Sequence, residues 1–280
     1  MTYELIDSGD GLKYEKFGSV TLIRPDSRCV WARKYPEAWE TAHASCYKPD
    51  DGLWQWEIHK KLPDSWKFTF SYDGAAITTT LRLSETKNIG VFPEQSDNWR
   101  WMIDCIKKNG QNPSVLNLFG YTGVATLCAA AAGASVCHVD ASQAAVTWAR
   151  KNQEASGLGH APIRWIVDDC ATFVRREIKR GVHYDGIILD PPAFGRDTKG
   201  KIFSFQKNIY DLLVLCREVL KKEPLFVIFN GYSMGYSATV LYNLLQDFFP
   251  DFSIEYGELV LPHANDPRLL TCSIYARFKK

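Results

Sequence analysis

The stretch that decides the fold of this chain is Val115-Leu116-Asn117-Leu118-Phe119-Gly120-Tyr121-Thr122-Gly123. It predicts a strand, a tight turn and the start of a helix, and a second apolar run then ends at Asp140. We expect Gly120 and Gly123 to let backbone amides approach a ligand, because neither carries a Cβ atom, while the helix N-terminus adds positive potential. Asp140 follows Gly120 by 20 residues, the usual place for a carboxylate that accepts both hydroxyls of a ribose. The pattern predicts a site for a cofactor that contains a nucleoside.

The class of that cofactor depends on a third glycine, which this turn lacks. Val124 and Ala125 follow Gly123, whereas a dinucleotide turn reads G-x-G-x-x-G so that the backbone can approach a pyrophosphate. A nicotinamide oxidoreductase is therefore disfavoured. Since a glycine turn and an acid after the next strand are common in α/β proteins, this motif alone does not decide the function.

Composition sets the broad class of protein. The chain has 280 residues, 46% of them hydrophobic, which is enough for one large core with a small accessory domain. Lys and Arg number 33 against 32 Asp and Glu, so any site for nucleic acid must be a local patch. We find no charged-then-apolar leader and no apolar run of membrane-spanning length. These observations predict a cytoplasmic protein without a membrane partner, and they leave the oligomeric state open.

Eight cysteines are scattered along the chain without a C-x-x-C pair. They are Cys29, Cys46, Cys105, Cys128, Cys137, Cys170, Cys216 and Cys272. Several stand at apolar positions of predicted helices and strands, so we expect reduced and mostly buried thiols. The sequence predicts no metal site.

After about residue 110 the chain repeats a β-branched run, a turn and an amphipathic helix. The predicted strands are Ser114 to Leu118, Ser135 to Val139, Ile163 to Val167, Asp185 to Leu189 and Leu225 to Phe229. This alternation predicts a parallel sheet covered on both faces. Two further strands, Ser253 to Leu261 and Leu269 to Phe278, have no helix between them and predict an antiparallel finish. The expected fold is a Rossmann-like α/β fold with a mostly parallel seven-stranded sheet that ends in an antiparallel hairpin.

The chain before this core has a different texture. A helix is predicted from Glu94 to Lys108, with Gly110 as its stop. Further upstream, Phe68 to Tyr72, a D-G turn and Ile77 to Leu83 predict a β-hairpin. We predict a small β-rich domain over residues 1–88 and the main domain over residues 89–280. Five tryptophans stand among cations in the first domain, namely Trp31, Trp39, Trp54, Trp56 and Trp66. They could stack on single-stranded nucleic acid, but a small β domain also needs large residues for its core, and we favour the core.

A second motif follows the fourth predicted strand. Asp190-Pro191-Pro192-Ala193-Phe194-Gly195 stands at the same sheet edge as the glycine turn. Two prolines hold the backbone rigid and withhold two amide donors, so the turn can accept hydrogens from a flat base, on which Phe194 can stack. D-P-P is also a good strand terminator, but two motifs at one edge favour a site. Cations beyond this turn could contact phosphates or be ordinary solvated loop charges; they are Arg196, Lys199, Lys201 and Lys207.

Together these motifs resemble the class I S-adenosylmethionine-dependent methyltransferases that modify large-subunit ribosomal RNA. The matching segments are Asn117 to Gly123, Val139 to Ser142 and Asp190 to Phe194. Upstream, Gly90 to Asn98 is similar to the G-x-F-x-D-Q-R-x-N segment that precedes the core in that family. The resemblance covers roughly residues 88 to 280. It implies that residues 89–280 form an S-adenosylmethionine-binding domain and that RNA is the substrate.

The resemblance also implies roles for individual residues. Phe119 to Gly123 would wrap the methionine part of the cofactor, Asp140 would hold the ribose, and Asp169 or the alternative Asp168 would bind the adenine amino group. The full set implied to bind the cofactor is Pro93, Glu94, Gln95, Asn117, Phe119, Gly120, Tyr121, Thr122, Gly123, Asp140, Ala141, Ser142, Asp169 and Cys170. The set expected to hold the acceptor is Asp190, Pro191, Pro192, Phe194 and Asn230.

One departure from the family pattern bears on the reaction. The cytosine C5 branch carries a nucleophilic cysteine after the fifth strand, where this chain reads Phe229-Asn230-Gly231-Tyr232-Ser233. Cys216 belongs to a helix and Cys272 to a terminal strand, so neither is a natural substitute. Asn230 is closer to the guanine N7 branch, in which a ring nitrogen needs only to be positioned. We therefore favour a nitrogen acceptor over cytosine C5.

Two alternatives stay open at this point. The RNA-binding module common in the family is not evident, so the substrate could be something other than RNA. The chain could also be an RNA-binding or assembly factor that keeps the fold without turnover, although intact glycine and D-P-P turns disfavour a dead site.

Overall fold

The structure is a computed structural model that describes residues 3–50, 52–196, 200, 202–232 and 235–280. Its contacts divide the chain into two compact units. The first comprises Met1–Ser71, Thr78–Glu94 and Val260–Thr271, and the second comprises Tyr72–Ile77, Gln95–Leu259 and Cys272–Lys280. The expected domain boundary between residues 88 and 89 stays a prediction.

Among the described residues of the first unit, five strands form a sheet in the order β1-β2-β3-β4-β5. The strands are β1 (Tyr3–Gly9), β2 (Leu12–Phe17), β3 (Val20–Pro25), β4 (Ala44–Tyr47) and β5 (Gln55–Ile58), with the short helix α1 (Pro36–Trp39) before β4. Neighbouring strands are antiparallel except β3 and β4, which run parallel. The predicted β-rich N-terminal part of the chain is confirmed.

The predicted core role of the tryptophans in this unit is confirmed for Trp39. Trp39 is buried with Tyr14 and Ala42, and its indole N–H donates to Oδ2 of Asp7 over 2.9 Å. A buried indole needs such an acceptor for its N–H. The other four, Trp31, Trp54, Trp56 and Trp66, are only half-buried, and the indole N–H of Trp31 donates to the carbonyl of Ser8.

A hairpin follows, built from β6 (Trp66–Tyr72) and β7 (Ala75–Leu81). Asp73 and Gly74 join the strands, with φ of 44° and 78°. Two successive positive φ values are typical of the tight turn whose twist matches that of the flanking strands, which is why D-G is favoured there. The predicted hairpin is confirmed: β6 begins two residues earlier than predicted and ends at the same residue, and β7 begins and ends two residues earlier.

The main segment of the second unit begins at Gln95, the last residue of a short 3-10 helix, Pro93–Gln95. The elements after it are α2 (Ser96–Asn109), β8 (Ser114–Leu118), α3 (Val124–Ala131), β9 (Ser135–Asp140), α4 (Gln143–Ala155), β10 (Ile163–Val167), α5 (Cys170–Lys179), β11 (Gly186–Leu189), β12 (Phe194–Arg196), β13 (Ile202–Ser204), α6 (Phe205–Val219), β14 (Phe226–Tyr232), α7 (Ala238–Phe248), β15 (Glu255–Pro262) and β16 (Leu269–Lys279). Gly110 ends α2 with φ of 65°, as predicted.

Across the described residues, seven of these strands form one sheet in the order β10-β9-β8-β11-β14-β16-β15. The first five are parallel, and β16 runs antiparallel to β14. The predicted mostly parallel sheet with an antiparallel finish is confirmed. The strand order reverses between β8 and β11, and ligands of open α/β sheets bind in the crevice outside the carboxyl ends of the strands at such a point.

Alternate residues of the central strands face opposite sides of the sheet. Leu116 and Leu118 of β8, like Leu189 of β11 and Phe229 of β14, belong to the buried cluster formed with α5, α6 and α7. Phe226, three residues before Phe229, packs its ring edge on Trp101 of α2 instead, with ring centroids 6.2 Å apart. Helices therefore cover both faces of the sheet, as the near-continuous apolar strands predict.

The hairpin formed by β12 and β13 was not predicted. A helix was expected directly after the fourth parallel strand, but Phe194–Arg196 pairs antiparallel with Ile202–Ser204 before α6 begins. Strands of three residues are too short to give an alternating pattern that can be recognised in a sequence. This hairpin places Phe194 immediately beyond the D-P-P turn.

The structure bears on two further predictions, the state of the cysteines and the absence of a membrane-spanning segment. All eight cysteines are buried free thiols. In the part of the chain that the structure describes, no helix combines the length and the apolar character that crossing a bilayer requires.

Candidate active site

Strand register brings the predicted residues to one level of the sheet. Leu118 of β8 pairs with both Val139 of β9 and Leu189 of β11, and Leu189 pairs with Phe229 of β14. The next residue along each of these four strands is a predicted site residue. In the order of the strands across the sheet they are Asp140, Phe119, Asp190 and Asn230. Because neighbouring strands lie about 4.8 Å apart, these four residues form a row at the carboxyl edge of the sheet.

Packing inside the protein explains why glycine stands at positions 120 and 123. A Cβ atom on Gly120 would lie 2.3 Å from Cε1 and 2.5 Å from Nδ1 of His138. A Cβ atom on Gly123 would lie 2.8 Å from the Cβ of Ala149, and Gly123 has φ of 82°. Both glycines thus make room for the protein's own side chains. Their expected role in letting backbone amides approach a ligand stays a prediction. Gly123 also adopts a left-handed conformation that favours glycine.

Two residues beside Gly120 carry backbone strain. Phe119 and Tyr121 have φ of 59° and 48°, in the left-handed region that side chains with a Cβ atom rarely adopt. Such strain costs of order 1–3 kcal/mol at each position and persists where the surroundings fix it. Here the N–H of Gly120 donates to the carbonyl of Val139 over 3.1 Å, and the N–H of Tyr121 donates to Oδ2 of Asp140 over 2.8 Å. The turn is thus tied to the end of β9.

A buried polar network supports the turn from below. Nδ2 of Asn117 donates to Oγ1 of Thr126 over 2.8 Å, and this hydroxyl lies 2.9 Å from Nδ1 of His138. The Thr126 hydroxyl can thus bond to both side chains, because its oxygen has two lone pairs and one hydrogen. Burial lowers the pKa of His138 to about 3. The side chain of Asn117 is thus buried and supports the turn, and its role at the cofactor stays a prediction.

Asp140 is held with its carboxylate in a fixed orientation. Oδ2 accepts the backbone N–H of Tyr121 and Oδ1 accepts that of Ser142, each over 2.8 Å. Burial raises the pKa of Asp140 above its ordinary value, and these two hydrogen bonds oppose the rise. Each carboxylate oxygen has a second lone pair, so the group can still accept a pair of neighbouring hydroxyls. Ser142 also caps α4, because its Oγ accepts the N–H of Ala145.

Asp168 and Asp169 have different surroundings. Asp169 caps α5, and its Oδ1 accepts both the N–H and the hydroxyl of Thr172, over 2.9 and 2.7 Å. Asp168 accepts the N–H of Asp169 and forms an ion pair with Arg176. Of these two acids, Asp169 lines a pocket of about 140 Å³. The other residues around this pocket are Phe119, Ala171, Arg175, Ile202, Phe203, Asn208, Asp211 and Leu212.

Cys170 is the neighbour of Asp169 and lies in the core. Its thiol is buried. Burial raises the pKa of Cys170 well above its ordinary value, so the group is a neutral thiol. The role of Cys170 and of Ala141 at the cofactor stays a prediction.

The D-P-P turn lies between β11 and the β12–β13 hairpin. Pro191 is buried, and the carbonyl of Ala193 accepts the N–H of Phe205 over 3.0 Å, which ties the turn to the start of α6. Phe194 is 76% exposed, although large apolar side chains are usually covered. An exposed aromatic ring beside a rigid turn is a surface on which a flat base can stack. Of the cations beyond the turn, Lys207 is exposed on α6, whereas Lys199 and Lys201 lie outside the described residues.

Asn230 is joined to two residues that sequence analysis did not single out. Its Oδ1 accepts from Nδ2 of Asn98 over 2.8 Å, and Oδ1 of Asn98 accepts from Nη1 of Arg277 over 2.8 Å. Nδ2 of Asn98 also donates to Oε1 of Gln95 over 3.1 Å. Asn98 is the last residue of the segment that carried the family resemblance, so a signal existed. Arg277 had none, because it is 179 positions away from Asn98.

Three residues expected at the cofactor lie before or at the start of α2. Pro93 and Glu94 belong to the first unit and Gln95 to the second. Glu94 is buried, and burial raises its pKa. The roles of all three at the cofactor stay predictions.

The part of the chain expected to hold a nucleophilic cysteine carries none. Asn230, Gly231 and Tyr232 end β14 without a thiol, and Ser233 lies outside the described residues. Cys216 is buried in α6, where burial raises its pKa to about 12, and Cys272 is buried in β16. A neutral thiol in the core is a poor nucleophile.

The residues at this edge fit S-adenosylmethionine. The fixed Asp140 carboxylate suits a ribose with two free hydroxyls, and the pocket beside Asp169 offers an acceptor and aromatic faces to an adenine. In the turn itself, Thr122 is buried and its carbonyl accepts from Nδ2 of Asn152 over 3.0 Å. The backbone from Phe119 to Gly123 is thus held in place next to both groups.

Comparison with known proteins agrees with this fit. The family model described as Conserved hypothetical protein 95 matches residues 82–223, just over half of the chain. A curated relative, the ribosomal RNA large subunit methyltransferase I of Aeromonas salmonicida, is 29% identical over 71% of this chain and 48% of its own length. The chain spans less than half of the length of the curated relatives first matched, at 38%, 48% and 26%.

Solved structures extend the similarity to the whole chain. The S-adenosylmethionine-dependent methyltransferase from Agrobacterium tumefaciens has a TM-score of 0.93 and 37% identity, over 100% of this chain and 90% of that one. The methyltransferase SMU.776, solved in complex with S-adenosylhomocysteine, has a TM-score of 0.74 at 19% identity, over 99% of this chain and 75% of that one, and shows the fold alone. With its strand order, its glycine turn and these similarities, the chain belongs to the Conserved hypothetical protein 95 family and to the Rossmann-like S-adenosylmethionine-dependent methyltransferases.

Proposed function

We propose that this protein transfers a methyl group from S-adenosylmethionine to a nitrogen atom of a nucleobase in ribosomal RNA. The observation that carries the proposal is the row formed by Asp140, Phe119, Asp190 and Asn230 at one level of the sheet. It puts the residues expected to hold a cofactor next to those expected to hold a base. RNA as the substrate is supported by the names of the curated relatives, which are ribosomal RNA large subunit methyltransferases.

Binding of the cofactor is assigned to the β8, β9 and β10 side of the row. Asp140 accepts the ribose hydroxyls, and the backbone from Phe119 to Gly123 holds the methionine part. Asp169 accepts from the adenine amino group, because it lines the pocket while Asp168 is engaged with Arg176. When bound, the cofactor supplies a methyl group that the positive sulfonium makes electrophilic.

The acceptor base is assigned to the β11 and β14 side. The Asp190 carboxylate and the Pro191 carbonyl accept hydrogen bonds from the base, and Phe194 stacks on it. Asn230 orients the base from the neighbouring strand. A nitrogen lone pair needs no covalent activation, so these residues act by holding the acceptor atom in line with the methyl group and by excluding water.

The absence of a thiol from the described end of β14 favours nitrogen over cytosine C5. Carbon 5 of a pyrimidine becomes nucleophilic only after a thiolate adds to the ring. Accordingly, Cys216→Ala and Cys272→Ala are expected to keep kcat/KM within about threefold of the wild-type value, beyond any loss of stability. RNA that contains 5-fluorocytosine is expected to form no covalent complex with the enzyme. A trapped complex that disappears in one of these variants would contradict the nitrogen assignment.

Two measurements test the proposed function. Calorimetry at neutral pH is expected to show micromolar binding of S-adenosylhomocysteine and none of NAD, since the turn lacks the third glycine of dinucleotide sites. Methyl transfer from radiolabelled S-adenosylmethionine into ribosomal RNA from a deletion strain is expected, with a mass shift in one purified nucleoside. Cofactor binding without any methyl transfer would favour the assembly-factor alternative, and label in protein or in a metabolite would refute RNA as the substrate.

A further inference from the structure

Arg277 is a buried cation that contacts Asn98. Its Nη1 donates to Oδ1 of Asn98 over 2.8 Å and to Oδ2 of Asp97 over 3.0 Å. Its guanidinium lies 4.9 Å from the ring centroid of Trp101 and 4.5 Å from that of Tyr275. Two aromatic rings and these hydrogen bonds fix the position of the guanidinium.

This contact determines which way the Asn98 amide faces. Arginine carries only hydrogen-bond donors, so the atom of Asn98 that faces Arg277 must be its oxygen. The nitrogen of Asn98 then faces Gln95 and Asn230, and it can only donate to them. Both partners must therefore turn their amide oxygens toward Asn98, at 3.1 Å for Gln95 and 2.8 Å for Asn230.

The remaining atom of the Asn230 amide is consequently a donor. The side chain of Asn230 uses its oxygen to accept from Asn98, so its nitrogen can donate to a ligand at this edge of the sheet. Asp190 stands beside Asn230 on the neighbouring strand, one residue beyond the pair formed by Leu189 and Phe229.

We propose that Arg277 and Asn98 are positioning residues that lock Asn230 as a hydrogen-bond donor, and that the base in the site therefore presents a lone pair to Asn230. This inference rests on the proposed function and narrows its substrate. The edge of the base that fits this site has two groups. A hydrogen-bond acceptor of the base faces Asn230 on β14, and a donor of the base faces Asp190 and Pro191, which follow β11. An amino group next to a ring nitrogen offers this pair, as in adenine and cytosine, and on the N2–N3 edge of guanine.

The decisive variant is Asn98→Asp. An aspartate has nearly the same shape and pairs with Arg277, but it can only accept, so Asn230 and Gln95 must turn their nitrogens toward it. Asn230 then presents an oxygen to the base. We expect kcat/KM for ribosomal RNA to fall about 100-fold, mostly through kcat, because the acceptor is misoriented in the transition state. In Asn98→Ala, Asn230 is free to take either orientation, and the expected loss is only about 10-fold.

Comparing the activity and the Tm of these two variants distinguishes a positioning role of Asn98 from a role in packing alone. Asn98→Ala leaves Arg277 and two amides with unpaired groups and should have the lower Tm, whereas Asn98→Asp keeps the shape and should be the less active protein. A residue that only fills space would make the alanine variant worse in both measurements. Asn109→Asp makes the same chemical change at the exposed end of α2 and is expected to keep kcat/KM within about twofold of wild type.

Neutron diffraction of the perdeuterated protein tests the proposed amide orientations of Asn98 and Asn230 without any reaction. We expect the deuterons of Asn230 Nδ2 to point away from Asn98 in the wild type and toward residue 98 in Asn98→Asp. The inference is overturned if the wild-type map shows the Asn230 oxygen turned away from Asn98, or if Asn98→Asp methylates RNA at the wild-type rate. If the wild type methylates no RNA while the map shows the expected orientation, the proposal of RNA as the substrate fails, but the positioning of Asn230 by Arg277 and Asn98 is supported.

Discussion

Gly120 lies directly against the ring of His138, since a Cβ atom at position 120 would be only 2.3 Å from Cε1 of that ring. The ring cannot move aside easily, because His138 is fully buried and hydrogen-bonded to Thr126. The first glycine of the turn after β8 is therefore required for the close approach of this turn to β9.

Gly120→Ala is expected to lower the free energy of unfolding by about 2–3 kcal/mol, the usual cost of forcing an extra carbon into a packed interior. Denaturant unfolding measures the change. Gly159→Ala is the matched control, because the space around Gly159 is open and its φ is not positive. We expect the control to stay within about 0.5 kcal/mol of wild type. Combining Gly120→Ala with His138→Ala should be less destabilising than the sum of the two changes, and strict additivity would contradict the contact.

His138 should make the protein less stable as the pH falls. Burial lowers the pKa of His138 from 6.5 to about 3, so between these values the unfolded chain binds a proton that the folded protein does not. As the pH falls below 6.5, this group therefore lowers the free energy of unfolding by up to about 1.4 kcal/mol for each pH unit. The effect ends when the pH reaches the pKa of the folded state. The measurement is urea unfolding from pH 7 to pH 5 in the wild type and in His138→Gln. The variant should show a shallower dependence, and equal slopes would refute a buried neutral histidine.

Asp140 should control cofactor binding. Asp140→Asn places an N–H₂ group against the backbone N–H of either Tyr121 or Ser142, both of which now donate to the carboxylate. We expect the Kd for S-adenosylhomocysteine to rise by at least about 30-fold, from one lost charge-assisted hydrogen bond and one repulsive contact. Asp247→Asn, an exposed change on α7, is the control and should leave the Kd unchanged.

Binding to Asp140 should also depend on pH. Burial raises the pKa of this carboxyl, so on acidification it takes up a proton at a higher pH than an exposed aspartate does. The protonated group loses acceptor capacity, and the affinity for S-adenosylhomocysteine is expected to fall as the pH is lowered. Calorimetry across mildly acidic pH measures this. An affinity that rises on acidification would argue against a ribose contact by the ionised Asp140.

Asp169 and Asp168 can be told apart with asparagine variants. Asn is as good a helix N-cap as Asp, so Asp169→Asn should keep the cap on Thr172 and the stability of α5. It replaces an acceptor oxygen that lines the pocket, and we expect the affinity for S-adenosylhomocysteine to fall about 10-fold. Asp168→Asn weakens the pair with the half-exposed Arg176 and should change the affinity little. The reverse order of effects would assign the adenine contact to Asp168.

The amino-acid sequence by itself was enough to predict most of the helices and strands of the second unit. The apolar runs after residue 110 gave the five parallel strands nearly residue for residue, since a strand buried on both faces needs a continuous apolar segment. The missing helix between the last two strands likewise predicted the antiparallel finish. The sequence did not predict the β12–β13 hairpin, because strands of three residues are too short to show an alternating pattern.

Only the tertiary structure could decide what the predicted site residues touch. The glycines at 120 and 123 were apparent from the sequence, but their reason, the ring of His138 and the methyl group of Ala149, depends on how strands and helices pack. The contact of Arg277 with Asn98 joins residues 179 positions apart, and no local pattern encodes it. Periodicity and turn chemistry act over a few residues and can be recognised along the chain. Hydrogen-bond direction and close packing depend on distances in space, which exist only after the chain has folded.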